Sequence, residues 1–132
     1  MSKSSSFLIS AAESTKNHNV LDKLSSHTDL DVVDNVAFNR STHPDTLHKL
    51  SDHDNLDVVY NVAGNPRTHP DTLDKLSSHP DITIARRVAS NPNTRLDTLD
   101  KLSSHSSYNV LHNVFTNPST HPDTLRKIKS RL

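Results

Sequence analysis

The period of this chain constrains it more than any local motif. The triplet Asp-Thr-Leu begins at Asp45, Asp71, Asp97 and Asp123, each start 26 residues after the last, and a degenerate copy, Asn19-Val20-Leu21, stands one period earlier. The unit is clearest from His69 to Thr94, HPDTLDKLSSHPDITIARRVASNPNT. Self-similarity at such a period marks a stacked-repeat architecture, in which no unit buries its apolar face alone and each covers its neighbour. Four units follow one another, 17–42, 43–68, 69–94 and 95–120. Residues 1–16 form a Ser-rich tail whose FLISAA segment (Phe7 to Ala12) falls where the second helix of a preceding unit would lie, an N-terminal capping half-repeat. Residues 121–132 supply one last first helix as the C-terminal cap.

Within a unit the residues prescribe two short helices. Thr68-His-Pro-Asp71 and Ser78-His-Pro-Asp81 both read as S/T-x-x-D, a hydroxyl at the N-cap with an acid three residues on. Proline in a first turn loses no helical hydrogen bond. The spacing predicts a first helix over about 69–77, with Leu73 and Leu76 inward. It predicts a second over about 81–90, with Ile82, Ala85, Val88 and Ala89 on one face. Asn91-Pro92 is expected to end the second, because the residue before proline is pushed out of the helical region.

Composition is consistent with this reading. Hydrophobic residues make up 31% of the chain, below the roughly 45–50% of ordinary globular domains, yet a thin core repeated along an axis needs little apolar mass per unit. Of 15 acids only Glu13 is glutamate, and aspartate belongs at helix starts rather than in helix interiors. With one glycine and seven prolines, the turns fall to Asn, Ser, Thr and Pro. There is no cysteine, hence no disulfide framework and no thiolate site. The apolar run Phe7-Leu8-Ile9 is too short for a secretory signal, and nothing approaches a membrane span. The expectation is a cytoplasmic protein with no membrane association, a monomer in preference to an oligomer.

Aligning the units separates spine from surface. Leu47, Leu73, Leu99 and Leu125 form one column; Leu50, Leu76, Leu102 and Ile128 another; Val36, Val62, Val88 and Val114 a third. Asn39, Asn65, Asn91 and Asn117 recur unchanged, as do Thr42, Thr68, Thr94 and Thr120. Identity down a column inside one chain means that each copy solves the same packing or capping problem.

This pattern resembles the leucine-rich repeat variant family, whose unit reads approximately NPNTPxxxLxxLxxDPDxxVRxxVAxNPxT. The matching residues are Asn91-Pro92-Asn93-Thr94, Leu99 and Leu102. In the preceding unit they are Leu73, Leu76, Asp81, Arg86, Val88, Ala89 and Asn91-Pro92. The resemblance covers about residues 17–132 and implies an all-α, right-handed solenoid of alternating short α and 3₁₀ helices. The unit here is longer than is usual in that family. The cysteines that hold an iron–sulfur centre in one of its founding members are absent, so no cofactor is carried over. The family has no common activity.

Ten histidines raise the question of metal. His27, His53, His79 and His105 form one column, and His43, His69 and His121 nearly fill another. Packed helices lie about 8–10 Å apart whereas ligands must meet at about 2.0–2.1 Å from one zinc, so a column is a poor metal site. The pre-proline histidines suit capping instead, and no metal site is expected. Histidine is the side chain that gains charge just below neutral pH, so partner binding or solubility is expected to change near pH ~5.5. No nucleophile elbow, phosphate-cradling glycine loop or zinc-protease motif is present, and the carboxylates occupy cap and first-turn positions, so the chain is not read as an enzyme.

The remaining signal is variation. One column reads Asp34, Tyr60, Arg86, His112; its neighbour reads Asn35, Asn61, Arg87, Asn113; a third reads Phe38, Gly64, Ser90, Thr116. Packing does not dictate positions that change in every unit, and in repeat proteins such columns form the recognition surface. Tyr60 and Arg86 are the expected anchors, since Tyr and Arg dominate interface hot spots. The function expected is a non-enzymatic protein-binding repeat module, an adaptor or a steric inhibitor of another protein. The alternative is binding of a nucleic-acid backbone through the arginines Arg67, Arg86, Arg87 and Arg95. The neutral formal charge and the scarcity of aromatics for base stacking count against it.

Overall fold

The computed structural model of the chain describes residues 3–132, and among them it forms ten α-helices and no strand. After a 12-residue helix α1 (Lys3–Ser14), seven- and nine-residue helices alternate. They are α2 (His18–Leu24), α3 (Leu30–Phe38), α4 (Pro44–Leu50), α5 (Leu56–Gly64), α6 (Pro70–Leu76), α7 (Ile82–Ser90), α8 (Leu96–Leu102) and α9 (Tyr108–Thr116). A ten-residue α10 (Pro122–Arg131) closes the chain. Helix packing divides it into two compact units, Met1–His69 and Pro70–Leu132.

In the first unit α2 packs on α3 and α4 on α5, while the longer helices form their own row, α1 on α3 and α3 on α5. Leu21, Leu47, Leu50, Val36 and Val62 lie in its core. In the second, α6 packs on α7 and α8 on α9, α7 lies against α9, and α10 closes on α9. Its core holds Leu73, Leu76, Val88, Leu99, Leu102, Val114 and Ile128. Leu125 alone among the expected ladder residues is only half-buried.

The expected 3₁₀ helices do not form among the described residues. Seven residues suffice for α bonding from the first turn: Leu47 N donates to His43 O at 3.1 Å and Ser51 N to Leu47 O at 3.0 Å. Tightening is confined to the exit, where Ser51 N also reaches His48 O and His53 N reaches Leu50 O at 3.0 Å. No described residue has positive φ, so the turns indeed dispense with glycine.

Two local expectations need correction. Ile82 is not inward; it is 51% exposed at the first position of α7, and the buried set is Ile84, Ala85, Val88 and Ala89. Leu30, Leu56 and Tyr108, at the same position of their helices, are likewise exposed. The threonine and serine hydroxyls are not the N-caps either. Thr42, Thr68, Thr94 and Thr120 turn backwards, each hydroxyl donating at 2.6 Å to the carbonyl of Val36, Val62, Val88 or Val114. They are buried, and each adds a short hydrogen bond to a carbonyl at the helix exit that the N–H of the asparagine three residues on also reaches.

The caps are supplied by the residues that follow. Asp29, Asn55 and Asp81 open α3, α5 and α7 by accepting backbone N–H groups on their side chains. His43 and His121 do the same for α4 and α10 through Nδ1, which accepts from Asp45 N at 3.1 Å and Asp123 N at 3.0 Å. Nδ1 of His27, His53, His79 and His105 likewise accepts, each at 3.0 Å, from the residue two further on. An accepting Nδ1 places the imidazole proton on Nε2.

Candidate interaction surface

Whether a varied column is free for recognition depends on what the invariant polar residues already hold. The repeated asparagine is a buried connector. Asn65 Nδ2 donates to Ala37 O at 2.8 Å and Asn39 O at 3.0 Å, while its Oδ1 accepts from Arg67 N at 2.9 Å. Asn117 repeats this in the second unit with Ala89 O at 2.8 Å, Asn91 O at 3.2 Å and Ser119 N at 2.9 Å. Asn39 reaches back to Ala12 O and Thr15 O, both at 2.9 Å. The extended backbone of this position does not need the following proline: Asn39, followed by Arg40, has φ −68° and ψ 126°, and Asn91, followed by Pro92, has φ −72° and ψ 127°.

On the seven-residue helices a second connector recurs that the alignment of columns did not reveal. Asp22 Oδ1 accepts from the Thr46 hydroxyl at 2.9 Å and lies 3.6 Å from Lys49 Nζ. Asp74 takes Thr98 at 2.7 Å and Lys101 at 3.2 Å; Asp100 takes Thr124 at 3.0 Å and Lys127 at 2.7 Å. These partners hold all three carboxyls below the usual carboxylate range, Thr46 foremost for Asp22, Thr98 for Asp74 and Lys127 for Asp100. The offsets of 24 and 27 residues give the signal that could have found these rungs.

The six candidate residues fall into different situations. In the first unit Asp34, on α3, is half-buried, and its Oδ1 accepts from Asn61 Nδ2 of α5 at 2.7 Å. Burial pushes its carboxyl up, Asn61 opposes this, and Asp57 and Asp31 add to it. Tyr60, next in the chain to Asn61, is 36% exposed. Arg67 lies beyond α5, exposed, and its guanidinium reaches Arg40 O at 3.5 Å.

In the second unit Arg86 and Arg87 share α7, the first exposed and the second half-buried. The backbone carbonyl of Arg86 accepts from Asn113 Nδ2 of α9 at 3.0 Å. His112 is exposed on α9 and lies at the edge of an apolar hollow of about 420 Å³ with Tyr108, Leu111, Phe115 and Ile128. Thus Asp34 serves partly as structure, while Tyr60, Arg86 and His112 turn their side chains outward. Arg95, named for the nucleic-acid alternative, is engaged by Asp71. Among the described residues no three His, Asp or Glu side chains group as metal ligands. No helix among them is long and apolar enough to cross a membrane.

The chain matches no protein-family model, no curated protein and no solved structure.

Proposed function

We propose that this chain is a non-enzymatic protein-binding module, built as a right-handed solenoid of the leucine-rich repeat variant kind, that acts by occupying or bridging a partner protein. The observation that carries the reading is the exposure of large side chains at varied positions, beside invariant polar side chains that are buried. The invariant Asn and Thr side chains are taken up by caps and connectors. Tyr60 and Arg86, at a position that differs in every unit, carry large side chains into solvent. A rigid aromatic and a guanidinium are the side chains that most often anchor protein interfaces. The effect on the partner is that of an adaptor or a steric inhibitor.

The nucleic-acid alternative has less support. Arg95, Lys101, Arg126 and Lys127 each sit against an aspartate, Asp71, Asp74, Asp123 and Asp100 in turn, which lowers the positive charge available to phosphate.

Affinity capture from the native host, repeated with Tyr60→Ala and Arg86→Ala, tests the proposal. A partner retained by the wild type and weakened at least about tenfold by either variant is expected, the cost of truncating one anchor. Equal retention by both variants removes both anchors. Retardation of DNA or RNA at low salt that disappears at high salt would transfer the reading to nucleic acid.

A further inference from the structure

Each nine-residue helix begins with a large apolar residue that the fold leaves outside. Leu30, Leu56, Ile82 and Tyr108 open α3, α5, α7 and α9, and they are between 48% and 69% exposed. A lone exposed leucine is ordinary, but the same position apolar and exposed in four helices is a patterned surface. Residues four apart on a helix lie on one side of it. Four residues after each of these starts stands the varied position, Asp34, Tyr60, Arg86 or His112. Every such helix therefore carries one stripe, apolar at its start and varied at its middle.

Charge divides these stripes between the two units. In the first, α3 and α5 hold Asp31, Asp34 and Asp57 and no basic residue, and the exposed Phe38 completes the α3 stripe. In the second, α7 and α9 hold Arg86 and Arg87 and no acid. The aspartates Asp22, Asp74 and Asp100 of the seven-residue helices each have a lysine. Among the described residues no ion pair engages Asp31, Asp34, Asp57 or Arg86. Burial, with Asp57 and Asp31 as like charges beside it, pushes the Asp34 carboxyl up, and the Asn61 bond opposes this. A cation brought from outside relieves that repulsion. Two first-unit faces meeting would set carboxylates against each other, and two second-unit faces would set guanidinium against guanidinium. Only unlike faces attract, and the chain itself supplies both.

We infer that the α3–α5 face of one copy of this chain docks on the α7–α9 face of a second copy, Arg86 of one meeting Asp34 of the other, with Phe38 and the apolar helix starts covered between them. Both charged residues stand at the middle of nine-residue helices, so they meet whichever way the two pairs of helices run. The contact joins unlike surfaces. This inference rests on the reading of the varied positions as a recognition surface, and it names a second copy of the chain as what that surface recognises.

Sedimentation velocity over a concentration series tests it with the wild type, Asp34→Arg, Arg86→Asp and an equimolar mixture of the two variants. Circular dichroism checks that each variant keeps its helices. The wild type is expected to grow in mass with concentration, and less so at high salt. Each variant alone sets like charges opposite each other, so its association should weaken at least about tenfold and its mass stay near 14.7 kDa. In the mixture each altered face of one variant finds its opposite on the other, and association should return. Should Asp34→Arg lose its helices, Leu56→Asp takes its place, since Leu56 is exposed; mixed with Arg86→Asp it should still form a complex of two chains. A wild type that stays at the mass of one chain up to millimolar concentration overturns the inference. So does undiminished association of Arg86→Asp, and so does a mixture of two folded variants that stays monomeric. A monomeric wild type that nonetheless loses a host partner on Arg86→Ala overturns this inference alone and leaves the protein-binding module standing with a different partner.

Discussion

A single side chain, the asparagine at the exit of each nine-residue helix, shows how much one residue can carry here. Asn65 is buried and engages three backbone groups through one amide. Alanine would leave two carbonyls and one N–H without that partner. Each such buried loss costs about 1–3 kcal/mol, and partial rescue by water brings the sum to about 3 kcal/mol. Urea denaturation of Asn65→Ala should show this as a lower midpoint at unchanged slope. Asp34 behaves in the opposite sense. Its carboxyl is raised by burial, so folding penalises the ionised form. That penalty is absent where both states are protonated, grows as pH rises through the folded value, and is complete above it. Asp34→Asn keeps an oxygen for Asn61 and removes the charge. It should be as stable as the wild type or more so at pH 7, with the difference vanishing near pH 3. Any loss of partner binding in this variant would then belong to recognition rather than folding.

Helices and their junctions were legible to different degrees. The leucine and valine columns, the two-helix unit and its approximate bounds follow from periodicity, and the structure shows helices at those places. What periodicity could not convey is direction. Thr68 reads equally well as a cap for the helix ahead or a closure for the helix behind, and the Val62 carbonyl decides it. Ile82 reads as core because its spacing fits, but it stands at the first helical position, beyond the side that Ile84 and Ala85 bury. The Asp74–Thr98–Lys101 rung escaped because each member, taken alone in the sequence, reads as an ordinary polar residue. At the candidate site, Tyr60 and Arg86 are exposed, whereas the columns gave no sign of the engagement of Asp34 by Asn61. The rung makes a prediction of its own. Thr98→Val should cost about 1 kcal/mol at pH 7, the low end for a bond to a charged group because solvent screens the carboxylate. Asp74 is held below the usual range, so its stabilisation is full above the unfolded value near pH ~3.9 and is lost as pH falls through the lower folded value. Denaturation curves of wild type and variant should therefore converge as the pH approaches 2.

At the scale of the whole chain, helices that pack on their neighbours contribute to stability approximately as a sum of neighbour terms. α1 lies at the edge of that sum in the first unit: it covers α3, and its Ala12 and Thr15 carbonyls receive Asn39. Removing residues 1–14 should therefore cost at least about 3 kcal/mol, from the unsatisfied amide and the uncovered apolar surface together. Hydrogen exchange would locate the loss, with protection falling first in α3 and least in α8 and α9.

The asparagine connector also limits how such a chain can change length through descent. Asn65 and Asn117 each reach a carbonyl 26 residues earlier and another 28 residues earlier. Gain or loss of one complete copy leaves every amide facing an equivalent acceptor. An insertion of a few residues inside a copy shifts the amide off its carbonyls. Related chains should therefore differ in size by multiples of this unit, and shorter insertions should collect beyond the first and last helices.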